Sequence, residues 1–314
     1  MGVPARAAGL ALGYAADLAF ADPRRGHPVA GFGQLASVLE RAWWADDRGR
    51  GAAYTGVLVG GVTGAGWAVQ RAARGRPVAE AAIVALATWG VLGGRSLARE
   101  GAVMAQLLEQ GDLAGARDRL GHLCARDATG LPAGELARAS VESLAENTCD
   151  AVVAPLLWGA VAGVPGLLGY RAVNTLDAMV GYRSDRYRQF GWASARLDDL
   201  LNLVPARVAA ALTVAAAPLV GGRCADAWRI WRRDGSRHPS PNAGPVEAAS
   251  AGALGVTIGG SNTYDGTSED RGTLGDGPAV VAADLPRSVR LSQVVGLGAM
   301  LVAVGVAAVR RGRG

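Results

Sequence analysis

The sequence predicts an all-α, multi-pass helical membrane protein with broken or re-entrant segments and cytoplasm-facing polar loops, its 314 residues forming a single integral-membrane domain. Three observations predict it. Uncharged runs at Gly51 to Gln70, Ala151 to Tyr170 and Leu291 to Val309 reach the roughly 18 to 20 residues that a helix needs to cross a bilayer core. Glycine and alanine dominate these runs, which suits close helix approach in lipid. Carboxylates, amides and arginines crowd beside them between Glu142 and Arg207, and membrane segments carry such groups where they serve a site.

The elements follow in order. Ala7 to Ala21 is a marginal span, because Asp17 sits inside it. Gly51 to Gln70 carries Gly56, Gly60 and Gly64 at four-residue steps, a small-residue face expected to pack within one bundle rather than between copies. Pro77 to Gly94 is interrupted by Glu80, and Arg95 to Asp150 has helical periodicity punctuated by Gly111 and Gly130. A helix starting near Pro132 should run through ENTCD toward the bilayer until Pro155 disturbs it. Pro155, Pro165 and four glycines then break Ala151 to Gly169, so that the two flanking motifs can face one cavity open to the cytoplasm. Val208 to Gly222 follows Arg207, with Pro205 and Pro218 around it. WRIWRRDGSRHPSPNAGP is too rich in proline, glycine and serine for regular structure, and GGSNTYDGTSEDRGTLGDGP reads as an exposed loop before the last apolar run. About five segments span or half-span the membrane on this reading.

Composition excludes several chemistries. All 32 basic residues are arginine, so neither a pyridoxal Schiff base nor a G-x-x-x-x-G-K-[ST] phosphate loop can form. Cys124, Cys149 and Cys224 are scattered and lack paired spacing, which argues against a disulfide framework or zinc site. Neither a cleavable signal peptide nor nucleic-acid binding is expected, and the arginines near apolar runs suit lipid headgroups or phosphate.

Several side chains are candidates for chemistry. Glu142, Glu146 and Asp150 recur every four residues, a spacing that suits magnesium or a solvated helix face. Arg171, Asn174 and Asp177 lie one helical turn apart. Arg183, Arg186 and Tyr187 could clamp phosphate or anchor the chain at headgroups. Arg196 and Asp198 precede an apolar helix, where Asp198 could cap it or bind metal. His238 lies in the stiff loop HPSPNAG beside Asn242 and is the first general-base candidate, with His27 in GHPVAGFG the second; a structural hydrogen bond is the competing role for both.

ESLAENTCDAVVAPLLWG, YRAVNTLDAMVGYRSDRYRQFGWASARLDDLLNLVPAR, HPSPNAGPVEAASAGALGVTIGG and the early DPRRGHPVAGFG together resemble the CobD/CbiB family of cobalamin-biosynthesis proteins. The resemblance spans nearly the whole chain. It implies adenosylcobinamide-phosphate synthase activity, the ATP-dependent joining of aminopropanol or its O-phosphate to the propionate carboxylate of adenosylcobyric acid. ATP and Mg2+ are then the expected cofactors. Glu142, Glu146, Asp150 and Asp198 become the expected metal set, and Glu247 a group that holds the amine. Arg171, Asn174, Asp177, Arg183, Arg186, Tyr187, Arg196 and Asn242 become the expected substrate and phosphate contacts. An inner-membrane location, a lipid partner, and either a homo-oligomer or a complex with other late cobalamin-assembly enzymes complete the expectation. Two rivals compete: a non-catalytic membrane sensor similar to the AmpE proteins, and a small-solute transporter built on broken helices.

Overall fold

The computed structural model describes residues 4–22, 26–182, 184–264 and 267–310, with the side chains of 262–264, 267–269 and 310 left aside. The helices are α1 (Ala5–Phe20), α2 (Pro28–Trp43), α3 (Arg48–Ala72), α4 (Pro77–Val91), α5 (Gly94–Glu109), α6 (Leu113–Leu120), α7 (Ala133–Thr148), α8 (Ala154–Ala162), α9 (Val164–Val180), α10 (Trp192–Ala216), α11 (Cys224–Asp234) and α12 (Ala243–Leu254). Strands β1 (Ile258–Tyr264) and β2 (Thr267–Leu274) follow, and α13 (Leu285–Arg310) closes the chain. Among the described residues, the stretches Arg48–Ala72, Pro77–Glu109, Trp192–Val220 and Ala282–Val309 are long and apolar enough to cross a membrane. Exposed apolar side chains run along the same stretches, Leu86 at 63 %, Val204 at 69 % and Leu301 at 61 %, as lipid-facing surfaces require. The protein is a multi-pass helical membrane protein.

Contacts divide the chain into two compact units, one of Met1–Gly93, Ala154–Asn202 and Met300–Gly314, the other of Gly94–Val153 and Leu203–Ala299. In the first, α1 packs on α4 and α3 packs on α9. Gly9 and Gly13 on α1 permit this, since a Cβ there would come within 2.6 and 2.4 Å of Val84 and Thr88 side chains on α4. The α3 face that packs is the one bearing Tyr54, Leu58 and Gly66, and it presents Thr63 to Gly169. Gly56, Gly60 and Gly64 instead meet nothing within 4 Å, so the small-residue face expected inside the bundle is turned outward. Asp17 does not stop α1, which runs through it.

The run from Ala151 to Tyr170 does not cross as one rod. Proline at 155 cannot donate to the preceding turn, and the chain answers with a π-helical turn at Cys149–Val153 immediately before it. α8 then ends at Gly163, whose φ of 72° and ψ of −143° suit glycine, and α9 folds back along α8. The return is close. A Cβ on Gly166 would stand 2.2 Å from the Trp158 carbonyl oxygen, whereas residues eight apart on a straight helix are about 12 Å distant. Gln70 Oε1 accepts the first α9 amide, Val164 N–H, at 2.7 Å, and Arg6 donates to the Ala160 and Val161 carbonyls, so polar groups freed at the break are satisfied.

In the second unit, α5 and α12 pack on α7. Gly111 and Gly130, with φ of 72° and 73°, punctuate the α5–α6 and pre-α7 loops as their sequence positions imply. Two readings are corrected. WRIWRRD completes α11, because its apolar positions Ala227 and Ile230 keep helical spacing and the glycine, serine and prolines fall after it. The stretch taken for an exposed loop contains the antiparallel pair β1–β2, with Ile258 opposite Leu274 and Ser261 opposite Asp270. Its strand signal, Ser-Asn-Thr-Tyr before an Asp-Gly pair, was obscured by flanking glycines.

Replacing Gly163 by Ala should destabilise the protein by roughly 1 to 3 kcal/mol through the unfavourable backbone alone. The added Cβ would also fall 2.2 Å from Gln70 Oε1. A thermal midpoint in detergent equal to that of the parent would show that the fold-back does not depend on this glycine.

Candidate active site

The polar centre of the second unit begins at Glu142, which α7 carries inward to 1 % exposure. Its Oε2 accepts from Arg126 Nη2 at 2.5 Å, and its Oε1 accepts from Arg138 Nη1 at 3.0 Å and from Gly259 N–H at 2.8 Å. Arg138 also donates to the Gly259 carbonyl and, on its outer edge, to Glu135. Two arginines satisfy a carboxylate too buried to stand alone, and the same carboxylate ties the start of β1 to α7. The second strand is fixed at the same open end of the hairpin, where Gly275 N–H donates to buried Asp234 at 3.0 Å beside Arg233 and Arg237.

Of the expected carboxylate face, Glu142 is met by two arginines and a backbone amide. Glu146 is half-buried, and its carboxylate makes no hydrogen bond or ion pair among the described residues. Asp150 lies beyond the end of α7, in the wider π-helical turn, so the four-residue repeat no longer stacks it above Glu146. Among the described residues no group of three or more His, Cys, Asp or Glu side chains is arranged to hold a metal ion.

His238 lies in the 235–242 loop, and Pro239 and Pro241 stiffen it. Its Nδ1 accepts the Ser240 N–H at 3.0 Å, which places the proton of the neutral ring on Nε2. Nε2 faces Glu247 Oε1 of α12 across 3.8 Å, and both side chains are fully buried. Neither Nε2 nor either Glu247 oxygen has a hydrogen-bond partner among the described residues. Arg271 enters from β2, its Nη2 3.7 Å from the same Glu247 oxygen and its side chain 11 % exposed. Burial pushes the Glu247 carboxyl well above the usual carboxylate range, against the charge of Arg271 and reinforced by Glu142 and Glu146. Burial, aided by Arg271, holds His238 down at about 4. At neutral pH the ring is therefore uncharged, and its Nε2 proton faces the Glu247 carboxyl.

A second arrangement lies in the first unit. Arg171 donates to Asn174, whose amide donates to Asp198 at 3.3 Å; Asn202 donates to the other Asp198 oxygen at 3.0 Å and accepts from Tyr170 OH at 2.9 Å. Three expected site residues, Arg171, Asn174 and Asp198, thus meet in one network between α9 and α10. Asp177 stands against Gly181, where a Cβ would come within 1.9 Å of its carboxylate. Arg186 and Tyr187 both bind Glu40, at 3.1 and 2.8 Å, and the Arg186 guanidinium stacks 4.7 Å above the Trp44 ring; both are fastened to α2 and its end. Arg196 is exposed on α10, and Arg183 falls outside the described residues. His27 caps α2, with Nδ1 accepting Val29 N–H at 3.1 Å. Asn242, in the second unit, accepts from Arg207 at 3.0 Å. Arg271 was missed in the sequence because its strand was read as loop. The signal that the sequence did hold is His-Pro-x, present at His27 and His238, where the imidazole accepts the amide two residues on.

Fold and site define a multi-pass membrane protein with a buried, unsatisfied acid–imidazole pair flanked by arginines. The family model of CobD/Cbib protein matches residues 10–292. Relatives called cobalamin biosynthesis protein CobD include one from Mycobacterium tuberculosis, 54 % identical over 95 % of both chains, and one from Geobacter metallireducens, 48 % identical over 83 % of both. Another, from Rhodobacter capsulatus, is 42 % identical over 91 % of this chain and 90 % of its own. No solved structure matches. The chain belongs to the CobD/CbiB family.

Glu247 burdens the fold, since a buried polar group without partners costs about 1 to 3 kcal/mol. Glu247→Met should therefore raise the thermal midpoint, as apolar replacements of buried ionisable groups often do. A marked fall would show that the carboxyl is ionised and paired in the resting protein.

Proposed function

We propose that the protein acts in cobalamin biosynthesis as an ATP-dependent amide-forming enzyme, joining aminopropanol or its O-phosphate to the propionate carboxylate of adenosylcobyric acid. Family membership supports the pathway. The buried His238–Glu247 pair is the observation that supports chemistry, because a sensor surface or headgroup anchor gains nothing from burying an acid without partners. In this reading an activated acyl group meets the amine, the new C–N bond forms, the C–O bond to the phosphoryl or nucleotidyl group breaks, and that group leaves with the electron pair. The nitrogen must lose a proton, and Glu247 is its acceptor in the base form, reached when the carboxyl has released its own proton to solvent. His238 holds an oxygen from Nε2, the role its tautomer favours. Glu146 is the carboxylate that would help hold a magnesium ion, which would supply charge neutralisation. We place the site on the cytoplasmic side of the inner membrane, where ATP is available.

The test is incubation of membranes holding the protein with adenosylcobyric acid, Mg-ATP and each amine, with the corrinoid product identified by mass. Absence of a mass increase with either amine would refute the reading. Glu247→Gln should lower turnover by about 10²- to 10⁴-fold, the usual worth of a positioned acid–base group. Because the Glu247 carboxyl is raised, activity of the parent should climb with pH above the ordinary carboxylate range as the base form appears, and the variant should lose that limb. Glu146→Gln should insert normally and require more magnesium for half-maximal rate. An unchanged magnesium dependence would remove Glu146 from the metal's shell.

A further inference from the structure

The apolar stretch Trp192–Val220 ends just before α11, which begins at Cys224 after a turn at Gly221, whose φ is 81°. Arg287 fixes the level of that end. It stands one helical turn before the uncharged run Leu291 to Val309, and its guanidinium donates to the Val220 and Leu254 carbonyls at 3.0 and 2.9 Å. The end of one span and the start of the next therefore meet at one level. α11 stays close to it, because Ala227 packs on the last turn of α12: a Cβ on Gly252 would fall 2.7 Å from Ala227 Cα, and Gly252 lies about 3 Å of helix from Leu254.

The outer side of α11 is built unlike its inner side. Ala227 and Ile230 are buried, while Cys224, Ala225, Trp228, Arg229 and Arg232 recur at three- and four-residue steps on an exposed stripe. Trp228 is 51 % exposed; its ring meets Trp231 edge-on at 5.2 Å and carries the Arg232 guanidinium at 5.8 Å. Most arginines nearby are taken by acids, Arg229 and Arg233 by Asp276 and Arg237 by Asp234. Two are not closed in this way. Arg232 meets no carboxylate among the described residues, and Arg223, with a side chain 80 % exposed, stands 3.8 Å from Asp226.

We propose that α11 lies in the lipid headgroup layer, where Arg223 and Arg232 hold anionic phospholipid and Trp228 seats its ring at the boundary with the acyl chains. An indole with one polar edge suits that boundary, and exposed arginines beside a span attract negative headgroups. The two cations stand about 14 Å apart along the helix, so they spread over a charged surface instead of converging on one phosphate. A lipid layer fits that spacing better than a small ligand does. Nothing in this assignment rests on the amide-forming reaction.

Cys224 is exposed on the stripe and Cys149 is buried, so a fluorophore can be placed on α11 in full-length protein carrying only Cys124→Ser. The labelled protein is reconstituted in nanodiscs containing lipid with a nitroxide quencher high on its acyl chain. The Cys224 label should be quenched strongly, and the same label on Asp118→Cys in the polar helix α6, with Cys224→Ser, much less. At equal mole fraction, nitroxide phosphatidylglycerol should quench Cys224 more than nitroxide phosphatidylcholine, corresponding to a local enrichment of roughly 5-fold or more. That excess should collapse when Arg223→Gln and Arg232→Gln are combined, persist in the matching lysine pair, and shrink as salt rises. Both substitutions lie on exposed side chains, so the fold should survive them. Equal, weak quenching at the two positions would place α11 in water, leave its stripe to a protein partner, and overturn the assignment. Equal quenching of Cys224 by the two lipids, or an excess that the glutamine pair leaves intact, would overturn the role of the two arginines.

Discussion

Desolvated charge governs the second unit, and Glu142 is where it is resolved. A carboxylate at 1 % exposure is untenable unless every lone-pair direction is met, and Arg126, Arg138 and Gly259 N–H meet it from three parts of the chain. Because one of those donors is a backbone amide of β1, the neutralisation of Glu142 and the placement of the hairpin are the same event. Arg271 owes its position to that, and so does the environment of Glu247. In the same unit the opposite solution is kept: Glu247 stays buried with its oxygens unmatched. One unit thus holds two buried acids of opposite kind, one satisfied and one not.

Much of the architecture could be read from uncharged runs. The spans at α3 and α13 announce themselves by length, and Gly111 and Gly130 fall where the chain turns. The broken segment was legible too, since Pro155, Pro165 and clustered glycines admit few straight-helix solutions. Other features were hidden for definite reasons. Four-residue spacing of acids reads identically whether the partner is a metal ion or arginine, so the meeting of Glu142 with Arg126 and Arg138 was not legible in the sequence. The hairpin disappeared among glycines that its own bulge and turns require, Gly259 and Gly272 among them at φ of 87° and 70°. Gly56, Gly60 and Gly64 illustrate the converse: a spacing suited to close packing does not say which side of a helix the neighbours occupy.

Proline-bearing histidine motifs joined two levels of description. In His-Pro-x the ring nitrogen nearest the backbone is taken by an amide two residues on, so local chain geometry, not the surrounding cluster, settles which nitrogen carries the proton. At His27 this finishes a helix start. At His238 the identical turn aims a donor into a closed polar space. The orientation of the ring at the second position is therefore set by the same device that caps a helix at the first, and there it faces a buried acid.

The fold-back at Gly163 also bears on how the chain is threaded. Hydropathy alone scores Ala151 to Tyr170 as a crossing, and one extra crossing exchanges the two sides of the bilayer for every segment downstream. With α8 and α9 doubling back at Gly163, the run is two helices folded on each other and not one rod. A count of crossings taken from hydropathy thus turns on the backbone angles of a single residue.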